Sequence, residues 1–268
     1  MKRLIPILLL LVSACTPTLV SMPDKERLVV EGWIDSGDNP VVMVTTPVKA
    51  EDYERSAKSL AQHIVMRARV TVQEDDGEEV LLEGRVDENY LPPYIYTTDR
   101  IIGRPGHKYT LRVQYGNHSA QGETTVPEPV PLKNVEVSHS AYANDLYLVM
   151  AHLDRTDVRY RFFTKVEGKD TQFYPCILSG TSGLSAVPIM RGWSLIGEKQ
   201  PEFLAGEVVH LKACTLDEAA WQFWQGFDAV ATLGLIPFFP VHDNAPSNLK
   251  GAYGYWAGYG VTFYTVEM

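Results

Sequence analysis

Leu28-Val-Val-Glu-Gly-Trp-Ile-Asp-Ser-Gly-Asp-Asn-Pro-Val-Val-Met-Val-Thr-Thr-Pro-Val48 sets the theme of the chain: two short runs rich in β-branched residues, separated by the turn cluster Gly37-Asp-Asn-Pro40. Branched side chains suit a pleated backbone and Gly, Asn and Pro supply turn geometry, so the stretch reads as two consecutive strands. The pattern continues downstream. Residues 65–72 form a third run, Asp75-Asp-Gly77 turns the chain into Val80-Leu-Leu82, and strands are expected over 94–98, 109–115 and 119–126, with Gly103-Arg-Pro-Gly106 as punctuation. Between the second and third runs, Tyr53, Ala57, Leu60, Ala61 and Ile64 recur at helical spacing and predict a short amphipathic helix. Short strands at this spacing predict an immunoglobulin-like β-sandwich over residues 27–126.

Pro127-Glu-Pro-Val-Pro131 favours extended backbone and removes hydrogen-bond donors, which places a Pro-rich linker at 127–133 and a domain boundary with it. Beyond it, strands are expected over 135–140, 146–153, 160–166, 173–178, 188–195 and 208–213. One helix interrupts them near 216–230. Thr215 and Glu218 have capping-box spacing, and Leu216, Ala220, Phe223, Phe227 and Val230 fall on one face. The chain ends in a glycine-rich aromatic strand over 253–266. The expected fold is therefore mainly β: the N-terminal sandwich, then a second antiparallel β-domain over 134–268, sandwich or barrel-like, with one inserted helix.

The N-terminus carries a different kind of signal. Lys2 and Arg3 precede an apolar run over residues 4–12, and Leu11-Val-Ser-Ala-Cys15 has the pattern of a bacterial lipobox. The run is about half of the roughly 20 residues that span a bilayer, and Pro6 interrupts it, so a retained transmembrane helix is not expected. Residues 1–14 read as a lipoprotein signal peptide, Cys15 as the lipidation site and residues 15–26 as a tether. At roughly 0.8 kcal/mol per buried methylene, three acyl chains on Cys15 anchor a protein to a membrane essentially permanently. Asp24 is the first acid after Cys15. Acids just after the cysteine resemble a surface-export signal of lipoproteins, so the expected location is the periplasmic leaflet of the outer membrane rather than the cell surface.

The net charge is −9, and loss of Lys2 and Arg3 with the signal makes it more negative, which argues against a nucleic-acid partner. Hydrophobic residues make up 45% of the chain, ample for packed cores. Besides Cys15, the cysteines are Cys176 and Cys214. In an oxidising periplasm they either pair, closing a loop worth roughly 3 to 4 kcal/mol, or remain as two buried thiols.

Motifs that carry chemistry are sparse. Histidines stand at 63, 107, 118, 139, 152, 210 and 242, none at zinc-ligand spacing. Gly180-Thr-Ser-Gly183 lacks the nucleophile-elbow pattern and reads as a loop. Glu74-Asp-Asp-Gly-Glu-Glu79 has carboxylates for calcium but no EF-hand spacing, and a hairpin turn with solvated acids explains it better. No cofactor, metal or catalytic residue is expected. The terminal strand is the main candidate for recognition: Tyr253, Tyr255, Tyr259 and Phe263 share one face, and Gly254, Trp256, Gly258, Gly260 and Tyr264 the other. Such a face either stacks on a ligand or fills a core, and core packing is the expectation. Phe238 and Phe239, in Pro237-Phe-Phe-Pro240, either cap the core or mark a partner surface.

Several segments together resemble one family. They are the lipobox ending at Cys15, Leu28-Val-Val-Glu-Gly-Trp-Ile-Asp35, the strand and Asp76-Gly77 turn after Ala68-Arg-Val, Gly103-Arg-Pro-Gly-His-Lys-Tyr-Thr-Leu-Arg-Val113 and Ser247-Asn-Leu-Lys-Gly-Ala-Tyr-Gly-Tyr-Trp256. In order and spacing they are similar to the lipoprotein family catalogued as domain of unknown function 4249, common in Bacteroidota. The resemblance implies a cell-envelope lipoprotein, often encoded beside a TonB-dependent outer-membrane receptor, with no established catalytic activity. Family members often have a second glycine where Ala252 stands here. The expected function is thus a non-catalytic outer-membrane lipoprotein that binds or assembles with a partner such as a TonB-dependent transporter. A glycan- or peptide-binding lipoprotein is the alternative, and an envelope enzyme with scattered site residues the third reading.

Overall fold

The computed structural model describes residues 27–47, 57–141, 143, 145–176, 183–192, 202–232 and 247–268. The N-terminal half runs through β1 (Leu28–Asp35), β2 (Val41–Thr45), the short helix α1 (Ala57–Ala61), β3 (Arg69–Glu74), β4 (Glu79–Leu81), β5 (Glu83–Val86), β6 (Tyr94–Thr97), β7 (Lys108–Tyr115) and β8 (His118–Thr125). Past the prolines come β9 (Leu132–His139), β10 (Leu146–Leu153), β11 (Tyr160–Val166), β12 (Tyr174–Pro175), β13 (Ala186–Ile189), β14 (Phe203–Leu204) and β15 (Val208–Leu216). The helix α2 (Glu218–Thr232), β16 (Leu249–Lys250) and the 16-residue β17 (Ala252–Glu267) complete the described chain. The fold is mainly β, as the alternating patterns require.

An eight-stranded open sheet, ordered β12-β11-β15-β17-β1-β2-β6-β5, takes strands from both halves. Four strands of the N-terminal half with β16 from the C-terminal half make a five-stranded sheet, β16-β8-β7-β3-β4, and the C-terminal half adds a four-stranded one in which β13, β14 and β9 all pair with β10. Both small sheets cover the same face of the long one. Leu28, Val30, Val42 and Trp256 of the long sheet meet Val70, Val72, Leu111 and Val113 in one core. Tyr160, Phe162, Leu211 and Val266 meet Leu132, Val149, Val187 and Phe203 in the other. Two sandwich cores thus share one backbone sheet, and no closed barrel forms.

The shared element is β17. Its first half pairs in parallel with β1, from Leu28↔Ala252 to Asp35↔Tyr259. Its second half pairs antiparallel with β15, from Leu216↔Tyr259 to Val208↔Glu267. One strand so satisfies backbone edges that each half would otherwise leave open. The expectation of two separate β-domains is corrected by this arrangement: residues 127–131 pass between the small sheets, while the long sheet joins the halves. The glycines of β17 serve that passage. A Cβ on Gly258 would stand 2.8 Å from Val126 Cα, and one on Gly260 would stand 2.5 Å from the Pro127 oxygen, so the linker lies directly on a bare backbone.

Helix α2 starts later than the capping-box reading had it. Asp217, not Thr215, caps it, accepting from the Ala220 N–H at 2.8 Å. The Thr215 hydroxyl donates instead to the Glu128 carbonyl at 2.7 Å, from within β15. Cys176 and Cys214 are both buried and unbonded. Cys176 lies in the core with Phe162, and Cys214 in the cluster beneath α2 on the opposite face of the sheet. A disulfide would have to pass through the sheet, which corrects the pairing reading.

Candidate functional site

The two small sheets leave the other face of the long sheet to different cover. Over β11, β15 and β17 lies α2, whose Trp224 (3% exposed) and Ala220 pack on Phe163, Leu216, Tyr255 and Tyr259. Over β2 and β6 a smaller cluster of Val41, Met43 and Ile95 is covered by Trp33 and Tyr90. Residues of both clusters line a cavity of about 370 Å³. The Leu91 N–H donates to the Gln172 side-chain oxygen at 3.0 Å, tying two lining loops together across the halves of the chain. The volume falls in the range of small-molecule sites.

Strand alternation places the polar groups. On β1, Leu28, Val30 and Ile34 go to the sandwich core, so Val29, Glu31, Trp33 and Asp35 face the cavity. Asp35 and Lys212 pair at 2.5 Å, the lysine reaching across β17 with its ammonium 5.5 Å from the ring centres of Phe163 and Tyr259. Burial opposes the charge on Lys212, but the attraction of Asp35 outweighs it and holds the amine protonated. Burial likewise pushes the Asp35 carboxyl above the usual carboxylate range, against the pull of Lys212. Behind Trp224, Arg161 (2% exposed) stacks at 4.1 Å on the indole and binds Asp228 at 2.6 Å.

Glu31 differs from these pairs. It is half-buried, lies opposite Tyr255 on β17 and Met43 on β2, and accepts from the Tyr255 hydroxyl at 3.0 Å. Burial raises its pKa to about 7, with the Tyr255 hydrogen bond acting in the opposite direction. Burial, followed by the Glu31 charge, in turn pushes the Tyr255 phenol well above its ordinary value.

The sequence-selected residues divide clearly. Tyr253, Tyr255 and Tyr259 all line the cavity, Tyr253 half-buried and the other two 5% and 1% exposed. Phe263 stands at the rim, 62% exposed. Phe238, Phe239 and Cys15 lie outside the described residues. The acidic turn is a closed network: Glu74 accepts from Arg104 at 2.7 Å and from the Tyr109 hydroxyl at 2.8 Å, and Asp75 accepts from the Lys108 N–H at 2.9 Å. His107 bonds Asp75 at 2.6 Å, so although Glu74, Asp75 and His107 cluster tightly, their ligand atoms already serve the turn. The sequence reading missed Glu31, Asp35 and Lys212. The signal for them was an acid or base inside a strand whose two faces are both apolar, as in Val-Val-His-Leu-Lys-Ala-Cys over 208–214.

A comparison with curated proteins found no match. The family model described as Domain of unknown function (DUF4249) matches residues 15–265, nearly the whole chain and every strand that builds the cavity, and the chain belongs to that family.

Proposed function

We propose that this chain is a lipid-anchored, non-catalytic binding module of the bacterial cell envelope, whose aromatic cavity receives an apolar ligand on behalf of an outer-membrane partner such as a TonB-dependent transporter. The lipobox at Cys15 supports the anchor and the periplasmic leaflet as its place. The cavity carries the binding reading: aromatic rings from β1, β17 and α2 converge on a space of about 370 Å³ whose lining surface is mainly apolar. A catalytic reading would rest on Glu31, whose near-neutral pKa suits proton transfer. Its hydrogen-bond partner is a phenol pushed well above its ordinary pKa, and burial pushes the nearby Cys214 thiol up as well, so neither supplies an activated nucleophile.

The neutral fluorophore N-phenyl-1-naphthylamine tests the cavity. Its emission should rise on binding with a stoichiometry near one, and Val41→Trp, which fills space beside Trp33, should abolish the rise while leaving the fold intact by circular dichroism. No saturable rise with the parent protein would refute the reading. A glycan- or peptide-binding role is the second reading, favoured by the rim position of Phe263, and immobilised-glycan or peptide arrays blocked by the same fluorophore would support it.

A further inference from the structure

The charges on the cavity face are unevenly partnered. Asp35 has Lys212 and Asp228 has Arg161, each at hydrogen-bond distance. Among the described residues Glu31 has the Tyr255 hydroxyl, a neutral donor to one of its two oxygens, and no cation among them contributes to its titration. Buried carboxylates ordinarily come with a counter-charge or become neutral. Around Glu31 the cavity instead offers rings. Tyr253 and Tyr255 flank it on β17, and Phe223 of α2 lies on Tyr255 with ring centres 4.6 Å apart. A carboxyl set among aromatic faces is the combination that attracts organic cations, because ring quadrupoles and carboxylate act with the same sign. The rim already shows the preference: Arg27 lies over the Tyr253 ring at 5.3 Å.

Resting on the binding-cavity reading, we propose that the ligand is a small organic cation, an ammonium group on an apolar or aromatic body, with its positive end on Glu31 and its body against Trp33, Tyr255 and the α2 rings. An anionic ligand on Lys212 is the opposite assignment. It fits less well, since Lys212 is already neutralised by Asp35 and stacked near two rings, while Asp35 Oδ1 is buried with no hydrogen-bond donor among the described residues. Lys165 and Asp38 also line the cavity, so the assignment rests on Glu31 and the rings around it rather than on the charge balance of the whole lining. The groups facing Glu31 are Tyr253 and Tyr255 from β17, Arg27 from just before β1 and over the Tyr253 ring, the uncharged Met43 from β2, and Phe223 from α2, with the Arg161–Asp228 pair beyond Trp224. None of these is bonded to the Glu31 carboxyl except Tyr255 among the described residues. Entry of an ammonium group shifts Glu31 to the carboxylate, and the displaced proton passes to solvent.

The experiment is a competition against bound N-phenyl-1-naphthylamine by three isosteres: 1-naphthylmethylammonium, 1-naphthalenemethanol and 1-naphthoate. At pH 8, where Glu31 is ionised, the ammonium compound should displace the fluorophore about tenfold more tightly than the alcohol, and the carboxylate should be weakest. The preference should shrink at pH 5.5, and Glu31→Gln should erase it at pH 8 with the fold intact by circular dichroism. Equal displacement by all three, or a preference for the carboxylate, overturns the cation assignment and leaves the cavity reading standing. Failure of the fluorophore itself to bind the parent protein overturns both.

Discussion

Removing the indole of Trp224 tests how the cavity face is held. The side chain is 3% exposed and packs against four rings of its cluster: Phe163, Phe223, Phe227 and Tyr255 lie with ring centres 5.2 to 5.6 Å away. Its Nε1 donates to the Tyr259 hydroxyl at 3.0 Å, and Arg161 stacks on it at 4.1 Å. Truncating a buried aromatic to alanine costs about 3 to 5 kcal/mol. The lost hydrogen bond removes about 1 kcal/mol more, and a desolvated guanidinium without its ring about 1 to 2 kcal/mol. These contributions overlap, so Trp224→Ala should destabilise by about 4 to 6 kcal/mol, and Trp224→Phe, which keeps a ring, by about half of that. Phe227 lies on the same face but is only half-buried, so Phe227→Ala should cost about 1 to 2 kcal/mol, less than its place on the helical stripe suggests. Urea denaturation followed by far-ultraviolet circular dichroism measures all three without relying on tryptophan emission. If Trp224→Ala unfolds within about 1 kcal/mol of the parent, α2 is not docked through this side chain and the wall it forms for the cavity is not rigid.

Three further outcomes follow from the same geometry. Because the folded-state pKa of Glu31 is raised to about 7, its contribution to stability is complete below the unfolded value near 4.5 and is lost as pH rises through 7; Glu31→Gln should remove that loss, so the variant gains on the parent between pH 5 and 8, and parallel pH profiles would show the carboxyl to be solvated. Cys176 and Cys214 should resist alkylation by iodoacetamide in the native protein and react fully in denaturant without prior reduction, since each is buried on its own face of the sheet; cysteines that react in denaturant only after reduction would contradict that placement. Cys15→Ser should release the protein into the soluble envelope fraction or stall its processing, whereas membrane association that still requires detergent would remove the basis for the lipid anchor.

Strands with long alternating patterns were legible because their pattern is local. β10 and β11 fall where the sequence places them, and β17 differs from its expected span by one residue at each end. The two-residue strands β12, β14 and β16 are too short to show a period, and the four-residue β5, exposed throughout, has no apolar face to betray it. What no local signal carries is partner choice. The glycines of β17 announce a close approach, but only the folded chain shows that residues 126–128 are what approaches, and that the strand then binds β1 along one half and β15 along the other.

The cavity is a consequence of that partner choice. Because β17 lies between β15 and β1, the long sheet is wider than the single helix available to cover its outer face, and the packing of α2 is confined to the β11, β15 and β17 side. Trp33 and Tyr90 shield the β2 and β6 side through a separate small cluster. Between the two covers, the outward residues of β1 line the cavity. In a strand whose other side is fully committed to the sandwich core, those positions would be expected to be apolar, and Val29 and Trp33 are. Glu31 and Asp35 break the pattern at alternate sites on the same face, and among the described residues only Asp35 is answered by a cation, Lys212, from across the sheet. A buried carboxyl with no counter-charge among the described residues costs stability, and the cation-binding role proposed above accounts for its position.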